Sequence, residues 1–400
     1  MRPGPATAVL LLATALVGGA IALDERIGIA VLGVASATVL ARVPSWMLLA
    51  AATVMFRWFP SPLIGDLAAT DLLLLMFVAR GLGPIVRNPI RAALRWLLGF
   101  TVVAWASTLL AGVTITPLLR VSLYVAVTVV LTQSGGALRR PVLRVIVGYA
   151  TIVVLVSALT QSGERMFGET VGDPQQLGIL LLAALAPLAT REFTYRGCRL
   201  TTLVLILGIA ATQTRGVWLA ALVFALLHAV RRINRRRLVG MAVVVISTGL
   251  LLYGPVTRQF DLNPVSQEYR AQSIRSGIDI VRAHPVDGIG WAALSDGVDL
   301  DGPLPVPYNL FVLVATYTGL AGLACFGLFL WSVVGQHVRT ADRTAFVFVG
   351  SFLVISMSEP TFYAGSLATF LFFLYAGFSL ARSDTSTPHS PVGAQQMVLA

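Results

Sequence analysis

Apolar runs of about 15 to 25 residues recur along the whole chain, each long enough or nearly so to cross a hydrocarbon core of about 30 Å as a helix. Of the 400 residues, 56% are hydrophobic and only 12% are charged, unlike the composition of soluble domains. Backbone polar groups inside a membrane must be satisfied internally, so such runs form helices. The sequence therefore predicts an all-α, polytopic transmembrane helical bundle of about 12 to 14 spans.

Residues 1–382 are predicted to form this transmembrane domain, and residues 383–400 a disordered cytoplasmic tail rich in Pro, Ser and Thr. The first apolar run resembles a signal peptide, but many similar runs follow, so we expect a retained first helix. The stretch from Ile27 to Phe59 holds either two full crossings or one broken crossing.

Arginine clusters occur in alternate loops of the chain. The positive-inside rule places these loops in the cytoplasm, so both termini are predicted to be cytoplasmic and residues 254–306 to form one long extracytoplasmic loop. The net charge of +11 is dispersed among the loops, so no nucleic-acid partner is expected. The clusters span Arg80 to Arg95, Arg139 to Arg144, Arg191 to Arg199, Arg231 to Arg237 and Gln336 to Arg343.

The long loop contains a predicted amphipathic helix. Asn263 followed by Pro264 is a good N-cap and first-turn pair, and the helical pattern ends before Pro285. At about 100° per residue the helix carries a polar and an apolar stripe, so we expect it to lie along the membrane surface or to cap the bundle. The polar stripe contains Glu268, Gln272, Arg275, Asp279 and Arg282, and the apolar stripe contains Ile274, Ile278 and Val281.

Two arginines on the external side interrupt apolar surroundings. Arg270 lies about 200° round the helix from Glu268, on the face expected to pack on the bundle, so it either points into a polar cavity or snorkels to lipid headgroups. Arg215, between two apolar runs, either marks a helix boundary at the outer interface or binds a ligand. External acids that could neutralise both are scarce, so a phosphate or diphosphate is their expected partner.

Four stretches together carry a family resemblance: "VGDPQQLGILLLAALAP", "TQTRGVWLA", "YRAQSIRSGIDIVRAHPVDGIGW" and "PYNLFVLVATYTGLAGL". In this order, from Val171 to Leu323, they resemble the O-antigen ligases and related polysaccharide polymerases. That family acts on polyprenyl-diphosphate-linked glycans at the outer face of the membrane. The resemblance implies a metal-independent glycosyltransferase of the bacterial cytoplasmic membrane that needs no cofactor. Its implied partners are a polyprenyl-diphosphate-linked glycan donor, a glycan or lipid acceptor, and membrane lipids.

The resemblance also implies roles for individual residues. Arg215 and Arg270 match the two arginines proposed to hold the donor diphosphate, whose developing charge needs stabilisation when it leaves. Tyr308 is the third predicted catalytic residue and stands where the ligases carry a histidine. Substrate binding is predicted for His284, Arg275, Asn309 and Gly288.

The tyrosine at this position is a departure with chemical consequences. Neutral tyrosine is a poor general base at pH 7, although Tyr308 could donate a hydrogen bond to a diphosphate oxygen or orient an acceptor hydroxyl. Three interpretations therefore stay open: a polymerase that uses another base, a ligase with altered chemistry, and an inactive member of the family. Candidates for the missing base are His284, Asp287, Asp296 and Glu359, of which His284 alone has a suitable free pKa.

Alternatives from other classes stay open as well. One is a transporter such as a flippase of lipid-linked oligosaccharides or polysaccharides, although no repeated halves are visible. Another is a non-catalytic member of the ligase family. Asp66 and Asp71 are expected either at the interface or in an ion pair with Arg57. Aromatic residues available for stacking on a sugar are Trp291, Tyr269, Tyr317 and Tyr363.

Overall fold

The computed structural model describes residues 43–58, 68–87, 91–133, 136–160, 173–230, 264–291, 306–340, 343–357, 359, 361–363 and 365–381. Regular structure in these ranges is entirely α-helical, as predicted, and comprises twelve helices. In chain order they are α1 Ser45–Trp58, α2 Ala69–Arg87, α3 Ala92–Ala111, α4 Thr116–Gln133, α5 Arg139–Thr160, α6 Pro174–Ala189, α7 Cys198–Ala211, α8 Arg215–Val230, α9 Pro264–Ala283, α10 Leu310–Thr340, α11 Arg343–Ser356 and α12 Leu367–Leu380.

Four of the described helices are long and apolar enough to cross a membrane, namely α3, α4, α5 and the part of α10 from Leu310 to Gln336. Six shorter apolar helices accompany them: α1, α6, α7, α8, α11 and α12. The predicted all-α membrane bundle is therefore confirmed. The number of crossings stays a prediction, because residues 1–42 and 231–263 lie outside the described residues, as does the predicted tail at 383–400.

Helices α6 and α12 form the centre of the bundle. All residues of α12 are buried, and α6 is buried along almost its whole length. The Tyr375 hydroxyl of α12 donates to the Ala183 carbonyl of α6 over 2.6 Å, and the Thr128 hydroxyl of α4 donates to the Phe373 carbonyl over 2.9 Å. Such bonds between apolar helices hold them at one depth relative to each other, because no water competes for the polar groups.

The amphipathic helix of the long loop is confirmed as α9, but its packing face differs from the predicted apolar stripe. Ile278 is 38% exposed, whereas Ser273, Gly277 and Ile280 are buried. A Cβ at Gly277 would lie 2.7 Å from the Val312 side chain of α10, so the two helices touch through a small residue. Helix α9 therefore packs against α10 along a narrow seam of small residues, which permit a closer approach than isoleucine would.

The turn after α9 docks onto a kink in α10. Gly319 has φ 66° and ψ −174°, a conformation open in practice only to glycine, and a Cβ there would lie 2.2 Å from the Val286 carbonyl oxygen. The amides of Ile289 and Gly290 donate to the Thr316 and Tyr317 carbonyls over 3.0 and 3.1 Å. These bonds satisfy carbonyls that the kink exposes, and they fix the end of α9 against α10.

Asp71 has a partner that the sequence did not indicate. The Asp71 carboxylate accepts from Arg120 Nε of α4 over 3.0 Å and is almost fully buried, while the expected ion pair with Arg57 stays a prediction because the Arg57 side chain lies outside the described part of the chain. The same carboxylate accepts from the Ala68 amide over 3.0 Å at the start of α2. Asp71 therefore joins α2 to α4, and Asp66 lies outside the described residues.

We expect Gly319→Ala to lower the free energy of unfolding by about 1 to 3 kcal/mol, because alanine is strained in this backbone conformation and its methyl group would meet the Val286 carbonyl. Thermal unfolding of the detergent-solubilised protein measures this. Gly327→Ala is the matched control, since it lies in the same helix and a Cβ there meets nothing within 4 Å. Equal stability of the two variants would contradict the docking role of the kink.

Candidate active site

Loops that the sequence places outside the membrane meet at one end of the bundle, around the carboxylate of Glu359. This residue lies between α11 and α12 and is 3% exposed. The first turn of α6, the N-terminal half of α9 and the segment before α10 supply its neighbours. We call the group formed by Gln175, Arg270, Tyr308 and Glu359 the carboxylate cluster.

The first turn of α6 positions the Gln175 side chain of the carboxylate cluster. Asp173 is the N-cap of α6 and accepts from the Gln175 amide over 2.8 Å, and Pro174 occupies the first helical position, a typical start for a helix. The first turn is therefore well defined. From it, Gln175 Nε2 donates to Glu359 Oε2 over 2.6 Å.

The second oxygen of the carboxylate binds an arginine. Arg270 Nη2 donates to Glu359 Oε1 over 3.0 Å, and the Arg270 side chain remains 40% exposed. Arg270 does face the bundle, as the helical pattern predicted. External acids were expected to be scarce, and one of them, Glu359, 89 residues away in the sequence, supplies the negative charge beside Arg270.

Tyr308 lies beside this ion pair. The guanidinium carbon of Arg270 is 5.2 Å from the centroid of the Tyr308 ring, a distance at which cation and ring attract each other. The Ser273 hydroxyl donates to the Arg270 carbonyl over 2.8 Å and accepts from the Tyr308 amide over 3.4 Å. Ser273 thus links the two residues that the resemblance assigns to catalysis.

The electrostatics of the cluster follow from its burial. Burial raises the pKa of the Glu359 carboxyl above its ordinary value, and the charge of Asp173 acts in the same direction, while the charge and hydrogen bond of Arg270 oppose the rise. Burial also raises the pKa of the Tyr308 hydroxyl, and the negative charge of Glu359 adds to that effect. Tyr308 is therefore a neutral hydrogen-bond donor and is even less suited to act as a base than free tyrosine.

Asn309, predicted to bind substrate, caps a helix. Its Oδ1 accepts from the amides of Phe311 and Val312 over 3.0 and 3.2 Å in the first turn of α10. Its Nδ2 donates to the Met357 carbonyl over 3.4 Å, which connects α10 to the loop that carries Glu359. Asn309 thus positions the segment that bears Tyr308, and a contact with substrate stays a prediction.

Arg215 begins α8 at the same end of the bundle. A Cβ at Gly178 would lie 2.3 Å from the Val217 side chain, so the first turn of α8 packs directly against the start of α6. The Arg215 side chain is exposed. The residue therefore stands at a helix boundary next to the helix that supplies Gln175, and its role toward a ligand stays a prediction.

Three other predicted residues lie away from the cluster. His284 follows Arg270 by 14 positions, about 20 Å along a helix axis, is 47% exposed and has Nδ1 at 3.7 Å from Asp287 Oδ2. Arg275 is exposed and lies about 140° round α9 from Arg270. Gly288 is in the docking turn, with φ 63°, where a Cβ would meet the backbone of Tyr317. The structure does not bring these three residues to Glu359.

The aromatic candidates divide in the same way. Trp291 is 3% exposed, with its ring centroid 5.1 Å from that of Tyr317, and both rings belong to the core. Tyr269 and Tyr363 are exposed near the cluster. The Tyr269 ring meets the Tyr308 ring edge on at 6.0 Å, and the Tyr363 hydroxyl accepts from Gln176. Of the four candidates, Tyr269 and Tyr363 therefore offer an exposed ring on which a sugar could stack.

Sequence reasoning missed Gln175, and it listed Glu359 as one candidate base among four. The signal for Gln175 was the Asp173–Pro174 pair directly before it, which is typical of a helix start. The signal for Glu359 was an acid in the short loop between the last two helices, which the arginine pattern predicts to be external. Their meeting with Arg270 could not be read, since it joins three distant parts of the chain.

Comparison with known proteins agrees with the resemblance seen in the sequence. A family model described as O-antigen ligase matches residues 200–327. The match contains α7, α8, α9, the docking turn and the first half of α10, and therefore Arg215, Arg270 and Tyr308. Gln175 and Glu359 lie outside it. No curated protein matches the chain. The predicted resemblance is thus confirmed for this part of the molecule: residues 200–327 are similar to the O-antigen ligase family.

Proposed function

We propose that the protein transfers or polymerises polyprenyl-diphosphate-linked glycans at the outer face of the bacterial cytoplasmic membrane, as a step in surface polysaccharide biosynthesis. The match to the O-antigen ligase family supports glycan transfer in this kind of pathway. The observation that carries the finer proposal is Arg270, a half-exposed guanidinium within the matched segment that a buried carboxylate holds at the surface of the cluster.

Arg270 binds the donor diphosphate in this proposal. A guanidinium is a planar fork of five N–H donors, and that of Arg270 donates to Glu359 through Nη2 while its side chain remains 40% exposed. Bidentate recognition of phosphate is the geometry that this fork favours. Arg215 supplies a second cation from the start of α8, and Tyr308 donates a hydrogen bond to the diphosphate or to the acceptor. The two arginines stabilise the leaving diphosphate in the role that a divalent metal has elsewhere.

The helix directions support an anionic ligand at this end. Helices α6, α8, α10 and α12 all begin here, as the contacts of Gln175, Val217, Asn309 and Gln176 with neighbouring helices and loops indicate. The N-terminus of a helix carries a partial positive charge and amides that point outward. Four such ends add to the field of the arginines and favour a diphosphate over a neutral ligand.

Deletion of the gene in its host tests the function. We expect shortened or missing surface polysaccharide together with accumulated polyprenyl-linked glycan, because the transfer step is blocked after the donor has been made. Analysis of surface glycans and of the extracted lipid-linked pool measures both, and the wild-type gene should restore them. Single-repeat surface products would identify a polymerase. An unchanged glycan profile would contradict the proposal, and lipid-linked glycan trapped at the cytoplasmic face would favour a flippase.

We expect Arg270→Ala to lower glycan transfer by about 100-fold or more, because one charged donor to the leaving group is lost. Arg270→Lys keeps the charge but loses the fork, so its activity should fall between that of Arg270→Ala and wild type. Rates are measured in membranes of the deletion strain that carry each variant. Arg282→Ala is the control, because this arginine of the same helix forms an exposed ion pair with Asp279 and should be dispensable.

Arg270→Ala also leaves Glu359 without its cation, and a buried unpaired carboxylate destabilises a protein by about 3 to 5 kcal/mol. The double variant Arg270→Ala with Glu359→Gln removes both charges. Its thermal stability shows how much of the destabilisation of Arg270→Ala comes from the unpaired carboxylate. Full transfer activity in a folded Arg270→Ala protein would overturn the donor-site assignment.

Arg215→Ala should likewise lower transfer by about 100-fold or more if the residue stabilises the leaving diphosphate. Arg215→Lys should restore only part of the activity, for the geometric reason given for Arg270. If Arg215 serves only as a helix boundary, both variants should transfer glycan at the wild-type rate and differ at most in thermal stability. The same membrane assay distinguishes these outcomes.

A further inference from the structure

We propose that Glu359 is the general base that takes the proton from the acceptor hydroxyl. The inference rests on the proposed transfer reaction and assigns the role that Tyr308 cannot fill. It stands on the position of the carboxylate: Glu359 is buried at the meeting point of the loops before α6, α10 and α12, against the arginine assigned to the donor.

The carboxylate has acceptor capacity left for a substrate. Each oxygen has two lone-pair sites, so the group accepts up to about four hydrogen bonds. The described bonds use one site on Oε1, from Arg270, and one on Oε2, from Gln175. Gln175 and Arg270 therefore hold the carboxylate in one orientation while leaving lone pairs for an incoming hydroxyl, as a general base requires.

The other described acids and bases near the candidate site are less suitable. Asp173 accepts from the Gln175 amide as the cap of α6, and its described hydrogen bond does not join it to the arginine assigned to the donor. His284 and Asp287 form an exposed pair at the far end of α9, about 20 Å from Arg270. Tyr308 is a neutral donor. Of the four base candidates that the sequence suggested, Asp296 lies outside the described residues and Glu359 is the one that the structure brings to the arginine.

The charges facing Glu359 couple its basicity to donor binding. Arg270 faces it from α9, Asp173 from the start of α6, and the Tyr308 hydroxyl from the segment before α10. Arg270 is the cation that favours the ionised form of Glu359. When a diphosphate engages Arg270, it shares that cation and adds negative charge, so the carboxylate becomes a stronger proton acceptor. Proton removal is thereby favoured only when donor is present.

The step balances without a further reactant. The acceptor O–H bond breaks, its proton moves to a Glu359 oxygen, and the acceptor oxygen forms a bond to the anomeric carbon of the donor sugar. The bond between that carbon and the phosphate oxygen breaks, and the polyprenyl diphosphate leaves with the electron pair. Arg270 and Arg215 stabilise the negative charge that develops on it. Glu359 then returns the proton to water or to the released diphosphate.

The test compares Glu359→Gln, Glu359→Asp and wild type in membranes of the deletion strain, which hold the accumulated lipid-linked glycan and its acceptor. We expect Glu359→Gln to lower kcat by about 100-fold or more, because general base catalysis typically contributes at least that factor, with little change in KM for the donor. Asp279→Asn is the matched control, since this exposed acid of α9 is far from the cluster and should leave transfer unchanged.

The pH profile separates a base from a structural carboxylate. Wild-type kcat should rise with pH through an acidic limb above the usual range of glutamate, because burial raises the pKa of Glu359 and the ionised form is the active one. Glu359→Asp should keep an acidic limb with partial activity, whereas Glu359→Gln should lose the limb. Lower activity of Glu359→Gln with an unchanged limb would overturn the base assignment and leave a positioning role.

Failure of this inference differs from failure of the proposed function. If wild type consumes the lipid-linked glycan and folded Glu359→Gln does so at a similar rate, transfer stands and the base assignment is overturned. If wild type itself transfers no glycan, the proposed function is overturned, and Glu359 as its base with it. Thermal unfolding of each variant shows that the comparison concerns folded proteins.

Discussion

Buried polar groups in this bundle must have partners, because no water is present in the hydrocarbon core to satisfy them. The central helices α6 and α12 are mostly apolar, yet their first turns present amides that need acceptors. Asp173 caps α6, while Ser366 and the Gln176 side chain accept from the start of α12. The requirement for partners therefore gathers side-chain oxygens and amides at one end of the bundle, where the carboxylate cluster lies.

The cluster follows the same rule with charges. A carboxylate as buried as that of Glu359 is costly unless it is paired, and Arg270 and Gln175 supply its partners. The pairing also suits a transfer reaction. It keeps the arginine at the surface, where the proposed leaving group would meet it, and it orients the carboxylate while the charge of Arg270 opposes the rise in its pKa that burial causes. One ion pair thus serves both stability and the proposed chemistry, with donor binding as the event that shifts its charge balance.

The sequence predicted this region in part. Helix α9 and the direction of Arg270 followed from capping residues and helical periodicity, both of which act within a few residues. The packing stripe of α9 was wrong, since periodicity ranks positions by hydrophobicity, whereas contact with α10 depends on small residues such as Ser273 and Gly277. The contact of Asp71 with Arg120 was not predicted, because the two residues are 49 positions apart and helix packing brings them together.

What the sequence by itself determined is local: apolar runs that must be helical in a membrane, loop charges that predict sidedness, and the Asn263–Pro264 pair that predicts the start of α9. The tertiary structure decided which of the candidate site residues come into contact. It placed the Asn309 amide against the Met357 carbonyl, and it brought Glu359 and Gln175 to the arginine from 89 and 95 positions away. Those meetings depend on how twelve described helices pack, and no local pattern contains that information.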